Sequence, residues 1–363
     1  MRPKRMVTGV MAGLWREVVM LVIRPVRDDD IDQLLELAGY TTFGLTTLPN
    51  DRKLLEQRIQ DSLRGFEKVE GEKPRGESYL FVMHDTDVDK VVGTSAIVSK
   101  VGGFLPFYAY RIETTVHESK MLNLHKEIPT LHLIMEHNGP CEIGSLFLLP
   151  DYRSGGRGRA LSLVRFLFVA QHPELFDPVV IAEMRGVIDE QGRTAFWDAL
   201  GKHFFDLEYP KTDYLSIVNK EFIGDLMPRH PIYIPLLPKE AQEVIGKVHE
   251  KTIPALKILQ GEGFSIQNLV DIFDAGPVVS CPRDEIRTVR ESMNAPIEKI
   301  TNEPIDSSPY IVSNARRDFR ACQCNLAFGD HGVILTSEIS RALNTNVGDN
   351  VRYATLRPEK KLQ

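Results

Sequence analysis

Long apolar runs are missing from this 363-residue chain, and so is any excess of positive charge. No stretch approaches the roughly 18 consecutive apolar residues that a membrane-crossing helix needs. Lys and Arg number 44 against 50 Asp and Glu, a net charge of −6. That excludes a broad nucleic-acid surface while leaving room for local basic loops. The four cysteines (Cys141, Cys281, Cys322 and Cys324) are too few and too scattered for a disulfide framework. Cys322 and Cys324 are spaced C-x-C, but no second pair or nearby histidine completes a zinc site, and no H-x-x-x-H or H-E-x-x-H pattern occurs, so no metal is expected. No repeat of solenoid period is present. Scattered thiols without a span or a disulfide framework point to the cytoplasm. What remains is an ordinary globular balance, 42% hydrophobic and 26% charged, which excludes a disordered, collagen-like or coiled-coil chain.

Residues 1–19 carry Arg2, Lys4 and Arg5 before a short apolar stretch, but Arg16 and Glu17 interrupt it and no small-x-small cleavage site follows. They are read as an upstream extension outside the fold. From Leu21 the pattern is regular. A first strand (21–25) leads through Asp28, Asp29 and Asp30 into a helix with Ile31, Leu34, Leu35 and Ala38 on one face. A turn at 44–49 precedes a second helix carrying Leu54, Leu55, Ile59 and Leu63. A polar loop (67–77), two strands (79–83 and 91–98) around a turn at 85–89, and strands at 142–149 and 179–184, each followed by helical pattern, complete an α/β (α+β) domain. Helices are expected at 235–248 and 253–262, and a strand at 270–273. A proline-rich linker (294–310) and a small β-rich unit with strands at 325–328, 333–335 and 351–356 follow. The expected division is 20–235, a helical and strand extension at 236–293, and 294–363.

The stretch that carries chemistry runs from Leu146 to Leu161. An apolar strand enters Arg153-Ser154-Gly155-Gly156-Arg157-Gly158-Arg159 and continues directly as a helix. Glycines let backbone approach a ligand closely, and N–H groups at a helix start, with arginines beside them, favour a phosphate. The Gly-Lys-Ser/Thr ending of a P-loop and the G-x-G-x-x-G spacing of a dinucleotide fold are both absent.

The R-x-x-G-x-G pattern of Arg153, Gly156 and Gly158, following strand–helix–helix–strand–strand, resembles the pyrophosphate loop of the GNAT superfamily of acyl-CoA N-acyltransferases. Longer blocks narrow this. Leu21-Val22-Ile23-Arg24-Pro25-Val26, Phe196-Trp197, Ile272-Phe273-Asp274-Ala275-Gly276-Pro277 and the runs 44–49, 182–190, 226–233 and 240–249 are similar to arginine N-succinyltransferases, across most of the chain from Met20 and more weakly over 280–325. The resemblance implies a GNAT-like fold with a helical and then β-rich C-terminal region. It implies succinyl transfer from succinyl-CoA, a co-substrate rather than a resident cofactor, to the α-amine of L-arginine, the first step of succinylating arginine degradation. A homo-oligomer is expected, and a hetero-oligomer of two similar subunits is the variant of that expectation. Competing readings are an acyltransferase of the same fold using ornithine, another amine or acetyl-CoA, and a CoA-binding subunit without catalysis.

Amide formation from a thioester needs a pyrophosphate grip, a donor for the thioester carbonyl, a proton-handling group and an amino-acid pocket. Arg153, Gly156, Arg157 and Gly158 are the candidates for the grip. The resemblance places the carbonyl donor at the backbone N–H of Leu146 and the general acid at His249; by pattern alone His249 closes a helix, whose negative end favours imidazolium. His230 is the alternative, and His137 is also positioned near the strand. A guanidinium calls for carboxylates and a succinyl carboxylate for a cation, which points to Glu183, Asp189, Glu190 and Arg185 around one strand end.

Overall fold

The computed structural model describes residues 20–40, 47–68 and 72–358, so the readings at 1–19 and 44–46 lie outside the described residues. Along the chain, β1 (Leu21–Pro25) and a 3-10 turn at Asp28–Asp30 lead to α1 (Ile31–Gly39) and α2 (Arg52–Phe66). Asp30 is buried because Arg24 grips both its carboxylate oxygens, at 2.7 and 2.8 Å. Then come β2 (Ser78–Asp85), β3 (Lys90–Val98), β4 (Phe107–Ser119), β5 (Leu124–Glu136), β6 (Cys141–Leu148), α3 (Arg157–Gln171) and β7 (Val179–Glu183). A lobe of short helices follows: α4 (Ala195–Ala199), α5 (Lys202–Phe205), α6 (Tyr209–Val218) and α7 (Glu221–Leu226). The remainder is β8 (Ile232–Tyr233), α8 (Lys239–Val244), α9 (Ile253–Gly261), β9 (Ser265–Val270), β10 (Pro277–Pro282), α10 (Arg287–Glu291), β11 (Met293–Thr301), β12 (Pro309–Asn314), β13 (Ala321–Asn325), β14 (Ala327–Phe328), β15 (Val333–Thr336), α11 (Ser337–Leu343) and β16 (Asn350–Thr355).

Strand pairing is continuous through β14-β15-β11-β16-β12-β13-β1-β2-β3-β6-β7-β10-β9-β4-β5-β8. β6 and β7 are parallel, with α3 as the crossover, and pair only at Cys141–Val180 and Glu142–Ile181. Beyond those rungs they part. α3 is apolar on nearly every face and correspondingly buried all round, its Phe168 packed edge-on with Phe81 and Phe319 and tilted against Tyr79. Phe319 belongs to the C-terminal region, which therefore shares the main core. A second core, around Tyr110, Phe196 and Trp197, holds the helical lobe against β4 and β9.

Four expectations need correction. The segment expected as one helix at 235–248 is helical only over Lys239–Val244, because Gly246 turns at φ +72° and its N–H donates to the Ala275 carbonyl. The strand expected at 270–273 ends at Val270, where the Asp271 carboxylate accepts the N–H groups of Phe273 and Asp274 and curls the chain. Much of the supposed linker is β11, with Pro296 at the point where pairing passes from β16 to β15, a place that spares its missing N–H. The 13-residue strands of the β4–β5 hairpin were not anticipated at all.

Candidate active site

The glycine-rich turn opens α3. Gly155 and Gly156 have φ of +63° and +86°, and Gly156 is the left-handed residue immediately before the helix. A Cβ on Gly156 would meet the Leu356 side chain at 2.8 Å. Glycine is required there twice over, by conformation and by space. The first-turn N–H groups at Gly158 and Arg159 have no carbonyl within the helix to accept them, so they are available to an anion. Side chains brace the turn. Arg153 Nε donates to the Leu148 carbonyl at 2.8 Å while its guanidinium lies over Phe147. Arg157 lies over the Tyr152 ring, and Gln323 of β13 donates to the Gly155 carbonyl at 2.9 Å. Arg159 lies in the same stretch expected to grip the pyrophosphate. Its Nη1 is buried with no hydrogen-bond partner, while the nearby Glu262 carboxylate is gripped by Arg287.

Leu146 sits at an irregularity. Opposite β3, the register slips between Gly144 and Phe147, and Ser145 adopts φ +53°, forming a bulge that takes Ser145 and Leu146 out of the regular ladder. Three contacts fix it. Thr94 donates to the Ser145 carbonyl (2.8 Å), Arg58 Nη2 donates to the Ser145 hydroxyl (2.7 Å), and the buried Arg165 donates to the Gly144 carbonyl (3.3 Å). Burial pushes the Arg165 guanidinium down to about 9.

Where β6 and β7 separate, carboxyls from four elements collect. Glu142 (β6), Glu183 (β7), Asp213 (α6), and Asp271 and Asp274 (the β9–β10 turn) interact with one another and with Lys220, Arg58 and Arg185. Glu183 is exposed to solvent. Its carboxyl is nevertheless held well above the usual range, first by the surrounding protein and then by Glu142 and Asp271. Desolvation likewise raises Glu142, Asp271 and Asp274, and together with Asp271 carries Asp213 up to about 7. Asp274 is structural as well: it accepts the N–H groups of Gly186 and Gly276, both at 2.8 Å, and clamps the end of β7. Gly276 admits no side chain, since a Cβ would lie 2.0 Å from the Met184 carbonyl oxygen.

His249 is brought to the same place, though not as expected. Its N–H donates to the Arg185 carbonyl at 2.9 Å, two residues beyond Glu183. It precedes a 3-10 turn (Glu250–Thr252) rather than closing a helix, and its Nδ1 accepts the Lys251 N–H at 3.1 Å. The helix-end argument for imidazolium is therefore reversed. Desolvation, Arg185 and Lys251 depress its pKa, and the neutral ring carries its proton on Nε2. His249 thus lies against Arg185, which also faces Asp213 of the acid cluster. Asp189 instead holds its own exposed turn, accepting from Gln191 and Arg193, and Glu190 is exposed beside it. His137 and His230 lie on exposed loops. Glu142, Asp213 and Asp271 escaped sequence reasoning; the one available signal was an acid and a glycine, Glu142 and Gly144, on an otherwise apolar strand.

A strand, two helices, a hairpin, and then parallel strands diverging around a helix that opens on a glycine-rich turn define an acyl-CoA N-acyltransferase fold. Family models narrow the class. Residues 21–288 match the arginine N-succinyltransferase beta subunit, and residues 294–355 match the C-terminal domain of that subunit. The chain belongs to the arginine N-succinyltransferase family, a family of acyltransferases. It is 44% identical over 350 residues to the arginine N-succinyltransferase of Yersinia enterocolitica and 43% identical over 344 residues to the arginine N-succinyltransferase subunit beta of Pseudomonas aeruginosa; each match covers 94% of this chain and 100% of the relative. The solved structure of arginine/ornithine succinyltransferase subunit AI from P. aeruginosa superposes with a TM-score of 0.86 at 36% identity, covering 94% of this chain and 100% of that one.

Proposed function

We propose that this protein transfers the succinyl group of succinyl-CoA to the α-amine of L-arginine, releasing CoA and N2-succinyl-L-arginine. The observation that carries the reading is that a backbone-built anion cradle follows the C-terminal end of β6, an acid cluster lies near its N-terminal end, and the gap from β7 opens between them. A ligand with a pyrophosphate at one end and an acyl group delivered toward a cationic amino acid suits that arrangement.

In this mechanism the turn at Arg153, Gly156, Arg157 and Gly158 holds the pyrophosphate, and the splayed strands receive the pantetheine arm. The bulge turns the Leu146 N–H toward the thioester carbonyl, where a donor to the developing oxyanion contributes about 3 kcal/mol. Glu183 binds the arginine side chain and Arg185 the succinyl carboxylate; Asp189 and Glu190 line the rim. The neutral amine attacks the thioester carbon, the C–S bond breaks as the tetrahedral adduct collapses, the His249 imidazolium delivers a proton to the departing sulfur, and the proton shed by the nitrogen as the amide forms restores the ring's charge. A depressed pKa makes its imidazolium a stronger acid at the cost of a smaller population at neutral pH. Residues 20–235, 236–293 and 294–363 act as the acyltransferase body, the segment that brings in His249, and the unit that seats the glycine-rich turn through Gln323 and Leu356.

The test follows CoA release with a thiol reagent, offering succinyl-CoA or acetyl-CoA against L-arginine and L-ornithine. Rapid release only with succinyl-CoA and arginine is expected. Release with another pair moves the substrate, and no release despite CoA binding points to a subunit without catalysis.

A further inference from the structure

The cleft lacks partners of both signs. Five carboxyls (Glu142, Glu183, Asp213, Asp271 and Asp274) face three cations (Lys220, Arg58 and Arg185), so acids outnumber bases by two. At the same time Arg58 Nε and Arg185 Nε are both buried with no hydrogen-bond partner. Buried donors of this kind are costly unless something accepts from them. A cationic amino acid, with its α-carboxylate toward Arg58 and beside the succinyl carboxylate at Arg185, answers both deficits.

Backbone register places the acids around one space. Glu142 is level with Ile181 in the parallel ladder, so Glu183, two residues further along β7, is on the same face. The next β6 residue on that face is Gly144, and nothing lies within 4 Å of where its Cβ would be. Open volume therefore stands across from Glu183. Asp271 enters from the β9–β10 turn, whose following strand carries Val278 opposite Glu183. Carboxyls from three backbone directions suit a planar group with five N–H donors better than a compact ammonium.

We infer that Glu142, Glu183 and Asp271 together form the seat for the guanidinium of the acceptor amino acid, with Lys220 as the cation that tempers their field when the seat is empty. The inference rests on the succinyltransferase reading and names which residues select its amine substrate. Lys220 precedes α7 in the helical lobe and faces Glu142, Glu183, Asp213 and Asp271, so an arriving guanidinium competes with it.

The experiment is calorimetric titration of L-arginine and of L-citrulline, its neutral planar analogue, into the full chain with CoA present. Wild type is expected to bind arginine about 30-fold tighter or more, the scale of charge-assisted hydrogen bonds. Glu142→Gln and Asp271→Asn should each shrink that ratio at least several-fold, with citrulline affinity nearly unchanged. Lys220→Met, on the lobe rather than the sheet, should tighten arginine binding several-fold and also serves if the cleft variants fail to fold. Equal affinities in wild type, or ratios unmoved in all three variants, overturn the seat. Selective arginine binding without CoA release in the turnover assay would sustain the seat while removing the succinyltransferase reading. CoA release from arginine with unmoved ratios would do the reverse.

Discussion

The turn at 153–158 follows the C-terminal end of β6 and the acids collect near its N-terminal end, where the gap from β7 begins, yet one is made of backbone and the other of side chains. At the turn, two glycines with positive φ expose N–H groups at the start of α3, and the arginines of the motif mainly brace it, folding onto Leu148, Phe147 and Tyr152. In the gap the chemistry comes from Glu142, Glu183, Asp213, Asp271 and His249, residues more than a hundred positions apart at the extremes. A backbone site is conformationally demanding and tolerates little. A side-chain site of crowded carboxyls is electrostatically demanding instead, because burial raises them and neighbouring acids raise Glu183 further.

Substitutions on either side should separate the two. The largest effect is expected from His249→Ala: a fall in kcat of about 10²-fold or more with folding intact, as loss of a proton-transfer group produces. Steady-state rates near wild type would remove His249 from the chemistry. Glu183→Gln should raise the KM for arginine by roughly tenfold or more and leave the KM for succinyl-CoA unaltered; equal changes in both would dissolve the distinction between cleft and cradle. Gly156→Ala should do the opposite, weakening succinyl-CoA while sparing arginine. It should also cost about 1–2 kcal/mol of stability from the left-handed backbone, more where Leu356 cannot yield, read from paired kinetics and thermal melts.

The smallest effect concerns pH. Asp213 is raised to about 7 in the folded protein from an ordinary carboxylate value. The folded state therefore binds the proton more tightly than the unfolded state. Its favourable contribution is complete below about pH 4 and is lost as pH rises through about 7. Asp213→Asn should flatten the melting-temperature profile across that window and make the protein relatively more stable near neutrality. An unchanged profile would show that Asp213 is not enclosed with its neighbours.

Legibility followed locality. The first strand, the acidic entry to α1, the β2–β3 hairpin, α3 and its glycine-rich turn all declare themselves through periodicity or turn chemistry within a dozen residues. The β4–β5 hairpin does not. Its outer half faces water on both sides, so alternation is weak, and its turn is closed by Asn123 at φ +46° without a glycine or proline. β11 was obscured by a proline that the ladder accommodates only because the strand changes partners there. The position of His249 in the chain was clear from resemblance, but its setting was not: Gly246 turns the chain just after the preceding helix ends, and burial, Arg185 and Lys251 depress the pKa of the ring.

By itself the sequence determined the class of chain, the α/β order, the family, and the phosphate-type turn, because each rests on residues that act through their own backbone or near neighbours. Only the tertiary structure decided that Glu142, Asp213 and Asp271 stand with Glu183, that Asp189 and Glu190 do not, and that His249 sits neutral against Arg185. Charges interact through space, and the fold alone sets which distant carboxyls stand close enough to act on one another.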